Sequence, residues 1–135
     1  GLALTHPAVA KELAKGKLPY NVNLVTLAAA ATALRHVGLL EARTREIAAT
    51  RDWFRGQLDR VGGVRAYPSA ANFILIRCER VPAGEVFHRL HQEYGILVRD
   101  VSTAPELAQC LRISVGTRDD MAAVVSALEE ICRER

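Results

Sequence analysis

In the stretch "CLRISVGT" (Cys110 to Thr117) an arginine interrupts a run whose alternate residues are apolar. Leu111, Ile113 and Val115 fall on one side at a period of two, which leaves Cys110, Arg112 and Ser114 to share the other. Such a strand packs on a core with one face and meets something polar with the other. A guanidinium is costly to desolvate without a partner, and its planar fork matches a carboxylate or a phosphate through two parallel hydrogen bonds. The strand alone leaves two readings open: an anion-binding arginine, or an arginine on a half-solvated sheet surface. A second arginine, Arg99 in "GILVRDV", shares its face with Leu97 and Val101, while Ile96, Val98 and Asp100 point the other way. Its charge lies on a largely apolar face and needs a partner there, either a ligand anion or a nearby carboxylate such as Glu106.

The other chemistry-bearing residue types do not gather. His88 and His91 stand three apart on a helical pattern, a spacing that can serve one metal, but no third ligand is placed by the sequence and no metal site is expected. Cys110 has no histidine set beside it and reads as a packed thiol rather than a nucleophile. Lys11, Lys15 and Lys17 are the only lysines, on or just after a polar helix, and none has the apolar surroundings of a Schiff-base lysine. GxSxG, P-loop and GxGxxG patterns are absent.

The elements that must position the two arginines follow from periodicity. The chain opens on a strand-like "GLAL" and reads as though cut from something longer. In "THPAVAKELAKG", Thr5 is placed to cap a helix, Pro7 suits its first turn and Gly16 ends it. An alanine-rich helix from about Asn23 to Val37, closed by Gly38, is apolar nearly all round and is expected to be buried. Leu40, Ile47, Phe54 and Val61 recur every seven residues, with Leu58 between, along an amphipathic helix stopped by Gly62 and Gly63. Strands follow at "VRAYPS" and "NFILIRC", the second apolar on both faces and therefore central. A helix from Pro82 to Tyr94 buries Val86, Phe87, Leu90 and Tyr94, and Gly95 stops it before the strand "ILVRDV". "STAPELAQ" is a loop leading into "CLRISVGT". In "GTRDD", Thr117 caps a last helix whose stripe is Met121, Val124, Val125, Leu128 and Ile131. The order ββαββα after two leading helices predicts a two-layer α/β (α+β) domain: a small, mostly antiparallel sheet covered by helices on one face.

Composition narrows the class. The chain has 135 residues, half of them hydrophobic, enough for one ordinary domain with a core. Its net charge of +3 is scattered rather than gathered in a run, which gives nucleic-acid binding no support. The apolar stretch Leu24 to Leu34 is about half a membrane span, so no membrane association is expected. Cys78, Cys110 and Cys132 lack CxxC spacing and read as small buried hydrophobes in a reducing cytoplasm.

Taken together, "KLPYNVN", "AANFILIR", "GILVRDV" and "LRISVGT", in this order and at this spacing, resemble the C-terminal part of the histidinol-phosphate aminotransferases. These are pyridoxal-phosphate enzymes of fold type I, class II. "GLALTHPAVAKELAKGKLPYNVN" is similar to the stretch that follows the family's cofactor-binding lysine and arginine, so the resemblance runs over essentially the whole chain. It implies that residues 1–22 are a remnant of a large cofactor-binding domain with its interdomain segment, and that residues 23–135 are the C-terminal small domain. It also implies that Arg112 and Arg99 hold the substrate's anionic end, and that Tyr20 and Asn21 line the site at the domain border. A domain-joining turn at Pro19 explains the last two equally well. Val101 departs from the family, which has an aromatic residue there.

In that family the lysine that carries the cofactor lies upstream of the segment corresponding to Gly1. No catalytic or cofactor-binding residue is therefore assigned within this chain, and the chain alone is expected neither to bind pyridoxal phosphate nor to transaminate. The parent is expected to be a cytoplasmic homodimer of histidine biosynthesis that moves an amino group between glutamate and imidazole acetol phosphate, giving histidinol phosphate. Alternatives are another class II aminotransferase, a phosphothreonine decarboxylase, or a free-standing α/β module that binds a small anion.

Overall fold

Residues 4–17 and 22–133 are described by a computed structural model of the chain. Their contacts divide into two compact units, residues 1–40 and 41–135.

In the first unit, α1 spans Pro7–Lys15. Its cap is His6, whose Nδ1 accepts from the Ala8 N–H at 3.3 Å, and not Thr5 as the sequence suggested. Pro7 takes the first helical position, so the capping position falls on the residue directly before it. Gly16 ends α1 as expected. The helix α2 spans Leu24–Arg35 and is capped by Asn23, whose Oδ1 accepts from the Thr26 N–H at 2.8 Å. Two expectations fail here. Gly38 does not close α2: the break falls at His36, and Gly38 lies inside α3, which spans Val37–Leu58. Nor is any residue of α2 buried. Alanine needs no covering surface to be helical, so the cap and propensity suffice to form α2 while its apolar sides stay exposed.

The second unit holds the sheet. Strands β1 (Val64–Ala66), β2 (Phe73–Cys78), β3 (Arg99–Asp100) and β4 (Cys110–Ser114) lie in the order β1-β2-β4-β3, every neighbouring pair antiparallel. The helix α4 (Ala83–Tyr94) separates β2 from β3, and α5 (Arg118–Arg133) follows β4. This is the ββαββα order expected, with β2 and β4 central. The edge strand β3 is much shorter than "ILVRDV" promised, because only Arg99 and Asp100 pair with β4. The loop before β4 contains one 3-10 turn, Pro105–Leu107.

Within the second unit, the packing of α3, α4 and α5 falls on one sheet face. Ile74 and Ile76 of β2 and Leu111 and Ile113 of β4 meet Phe54 and Leu58 of α3, Val86 and Leu90 of α4, and Val124, Leu128 and Ile131 of α5 in a single core. Fully burying one such side chain contributes about 1.5–3 kcal/mol. The heptad in α3 is half right: Phe54, Leu58 and Val61 are buried, whereas Ile47 is partly covered and Leu40 is exposed. Gly63, at φ +88°, supports the turn into β1, where the Arg80 side chain would clash with any added Cβ. Gly95 ends α4 in the left-handed conformation its position requires. Among the described residues no single helix is long and apolar enough to cross a membrane.

Candidate functional site

The other face of the sheet carries the arginines. Antiparallel register sets Arg99 directly opposite Arg112 and Arg65 directly opposite Arg77. Like charges directly opposite one another destabilise a sheet, so each of these pairs costs folding free energy unless an anion joins it. Among the described residues neither Arg99 nor Arg112 is ion-paired, and Glu106 does not reach Arg99. Arg112 is half-buried and its Nε is enclosed without a hydrogen-bond partner. Its guanidinium lies 5.2 Å from the centre of the Phe73 ring, which supports the fork from below without neutralising it. Arg99 is exposed at the edge. The two arginines are thus cross-strand neighbours, Arg112 half-buried and Arg99 exposed.

Both ends of β4 are pinned, which fixes where Arg112 stands. At its start Gln109 adopts φ +61°, its carbonyl accepts from the Cys78 N–H at 2.8 Å, and its Oε1 accepts from the Ala83 N–H at 2.7 Å, tying the strand to β2 and to the first turn of α4. Beyond its end, Thr117 and Asp120 form a capping box on α5. The Asp120 N–H donates to Thr117 Oγ1 at 3.2 Å, and Asp120 Oδ2 accepts from the Thr117 N–H at 2.8 Å and from its hydroxyl at 2.7 Å. Those bonds hold the Asp120 carboxyl below its ordinary pKa. Gly116 is required beside the box, since a Cβ there would lie 2.7 Å from Asp120 Oδ2.

The thiols and lysines are placed as the sequence read them. Cys78, Cys110 and Cys132 are all free and buried, and burial pushes the Cys78 thiol up to about 12, far from the thiolate a nucleophile needs. Cys78 and Cys132 belong to the core, whereas Cys110 is buried on the arginine face, directly opposite Arg77. Lys11, Lys15 and Lys17 are exposed, with Lys15 paired to Glu12. A lysine that holds pyridoxal phosphate as a covalent adduct is kept desolvated. The described lysines do not fit that role. His88 and His91 are both exposed, and among the described residues no three metal-ligating side chains come together. Tyr20 and Asn21 lie outside the described residues.

Sequence reading missed Arg65, Arg77 and Phe73. The period-two pattern of "FILIRC" puts Arg77 on a face with Phe73 and Leu75, so that face reads as apolar and the arginine does not stand out. What it lacks is the register that sets Arg65 and Arg77 opposite each other, because register is a property of strand pairing.

A four-stranded antiparallel sheet with helices on one face and an arginine pair on the other defines an α/β domain with an open cationic sheet face. The chain belongs to the family described as aminotransferase class I and II, whose model matches residues 1–128. It is 41% identical over 133 residues to histidinol-phosphate aminotransferase 2 of Bordetella bronchiseptica, covering 97% of this chain and 36% of that protein. Among solved structures it resembles the L-threonine-O-3-phosphate decarboxylase of Porphyromonas gingivalis, with a TM-score of 0.84 and 26% identity over 98% of this chain and 41% of the other. It also resembles the histidinol-phosphate aminotransferase of Sinorhizobium meliloti, solved with pyridoxal-5'-phosphate, with a TM-score of 0.76 and 29% identity over 95% of this chain and 35% of the other. The chain therefore spans about a third of the length of the curated relatives it matches.

Proposed function

We propose that this chain is the C-terminal, substrate-holding part of a histidinol-phosphate aminotransferase. The observation that carries the reading is the unneutralised cross-strand pair of Arg99 and Arg112. The 41% identity to a relative of that name supports the substrate. Residues 23–135 make up the small domain, and residues 1–22 belong with the large domain. Arg112, braced on Phe73, holds the carboxylate of glutamate or the phosphate that takes its place in histidinol phosphate, and Arg99 adds the second fork on that phosphate.

Pyridoxal phosphate, when bound in the whole enzyme, supplies the electron sink for moving the amino group, and a lysine outside the described residues anchors it. The enzyme is a homodimer and works in the cytoplasm, where buried unpaired thiols stay reduced. A phosphothreonine decarboxylase is the second reading, supported by the likeness to the Porphyromonas gingivalis enzyme, and the substrates named for both carry a phosphate.

The test is kinetic, in the whole aminotransferase that carries this segment. Arg112→Ala lowers kcat/KM for glutamate and for the ketone by roughly two powers of ten or more, because a charge-assisted, two-bond contact is lost. Arg112→Lys recovers little, since a point charge does not reproduce the fork. Normal kinetics in both variants would return Arg112 to the role of a surface arginine.

A further inference from the structure

We infer that Arg65 and Arg77 form a second oxyanion subsite, one rung along the sheet from Arg99 and Arg112, and that it takes a phosphate dianion. The placement follows from register. Arg65 stands directly opposite Arg77, and Arg77 stands directly opposite Cys110. Arg112 is two residues further along β4 on the same face, so the two arginine pairs are offset by about 7 Å along the strands and by two strand spacings, about 10 Å, across the sheet. The inference rests on this second rung and not on the amino-transfer reading.

Three features make the rung a site rather than a pair of surface charges. First, no carboxylate balances it: among the described residues neither Arg65 nor Arg77 is in an ion pair. Second, Arg77 is held in place. It is half-buried on the central strand β2, and the neighbouring Cys110, and after it Tyr67, raise its pKa above the ordinary value. Tyr67 also carries Arg65, whose guanidinium lies 5.6 Å from the ring centre. Third, Arg77 keeps an enclosed Nε without a partner, as Arg112 does on the other rung.

The chemistry of the ligand follows from these costs. Two cations set directly opposite repel, and an enclosed donor without an acceptor forfeits a hydrogen bond. A tetrahedral dianion removes both penalties, because it matches the charge of the rung and offers enough oxygens for two forks. A single carboxylate matches half that charge. The exposure of Arg65 leaves the rung open to a ligand arriving from solvent. Free phosphate and a phosphate monoester present the same group.

The experiment is an NMR titration of the 15N-labelled chain that follows the arginine Nε–Hε signals as chloride is replaced by inorganic phosphate at constant ionic strength, with methyl phosphate as a second arm. The Arg65 and Arg77 signals should move together and saturate. In Arg77→Gln the affinity read at Arg65 should fall about tenfold or more, the loss expected for one charge-assisted contact, while Arg99 and Arg112 respond as before. Arg77→Lys, which keeps the charge and is the milder change for folding, should also weaken it. Tighter binding of methyl phosphate than of phosphate would assign the site to a monoester, the reverse to the free anion, and either supports a phosphate subsite. Absence of a saturable shift at Arg77 in the wild-type chain would overturn the proposal, as would a response to a glutamate-rich peptide with none to phosphate. A failure confined to Arg99 and Arg112 would count against the amino-transfer reading and leave this one standing.

Discussion

Leu111 and Arg112 are neighbours in the chain and stand on opposite faces of β4. Leu111 is fully buried in the core with Ile74, Ile76 and the helices. Arg112 faces a second arginine and keeps an enclosed donor without an acceptor. One face of the same strand gains stability by burial, and the other gives some of it up by setting cation against cation. No ion pair among the described residues offsets the repulsion between Arg99 and Arg112. The fold tolerates it because β4 is pinned at Gln109 and at the capping box, away from the charges themselves.

The comparison breaks if the two faces respond alike to truncation. Leu111→Ala should cost about 2–5 kcal/mol of stability in urea unfolding, the range for deleting a buried leucine. Arg112→Ala, one residue along, should stay within about 1 kcal/mol of the parent, because it removes an opposed cation together with the contact to the Phe73 ring. An Arg112 variant as unstable as the Leu111 variant would make the arginine structural.

A smaller effect tests the pin. Thr117→Ala should cost about 1 kcal/mol by removing the cap of α5, and Gly116→Ala about as much by displacing the Asp120 carboxylate. The smallest effect is in pH. Asp120 has a folded-state pKa below its ordinary value, so its contribution is complete above the ordinary aspartate range and is lost as pH falls through the folded value. Thr117→Ala should flatten that acid limb of the stability profile. An unchanged limb would mean that the box does not hold the carboxylate.

Much of this was legible from residue order. Apolar residues on both faces of "NFILIRC" marked that strand as central, and alternation in "CLRISVGT" assigned Leu111, Ile113 and Arg112 to their faces. Gly95 and Thr117 marked the helix ends they occupy. Where reading failed, tertiary geometry decided. Arg99 was recognisable as a strand arginine in need of a partner, but its position opposite Arg112, and that of Arg65 opposite Arg77, depend on pairing that no single segment encodes. The shortness of β3 has the same origin, since an edge strand ends where its one neighbour stops pairing. His6 took the cap from Thr5 because Pro7 set the first turn. The burial expected of α2 rested on apolar composition, which states what a helix would gain by being covered and not what covers it.

The central claim is that Arg99 stands opposite Arg112 to hold a phosphate. It is tested most directly in the whole aminotransferase by comparing histidinol phosphate, histidinol and a plain aromatic amino acid as amino donors in wild type and Arg99→Ala. A contact used by one ligand discriminates only against ligands that used it. The account predicts that kcat/KM for histidinol phosphate falls at least about tenfold further than for either donor lacking the phosphate, with thermal stability unchanged. An equal loss on all three donors, or lost stability with activity intact, would contradict it and make Arg99 a structural residue.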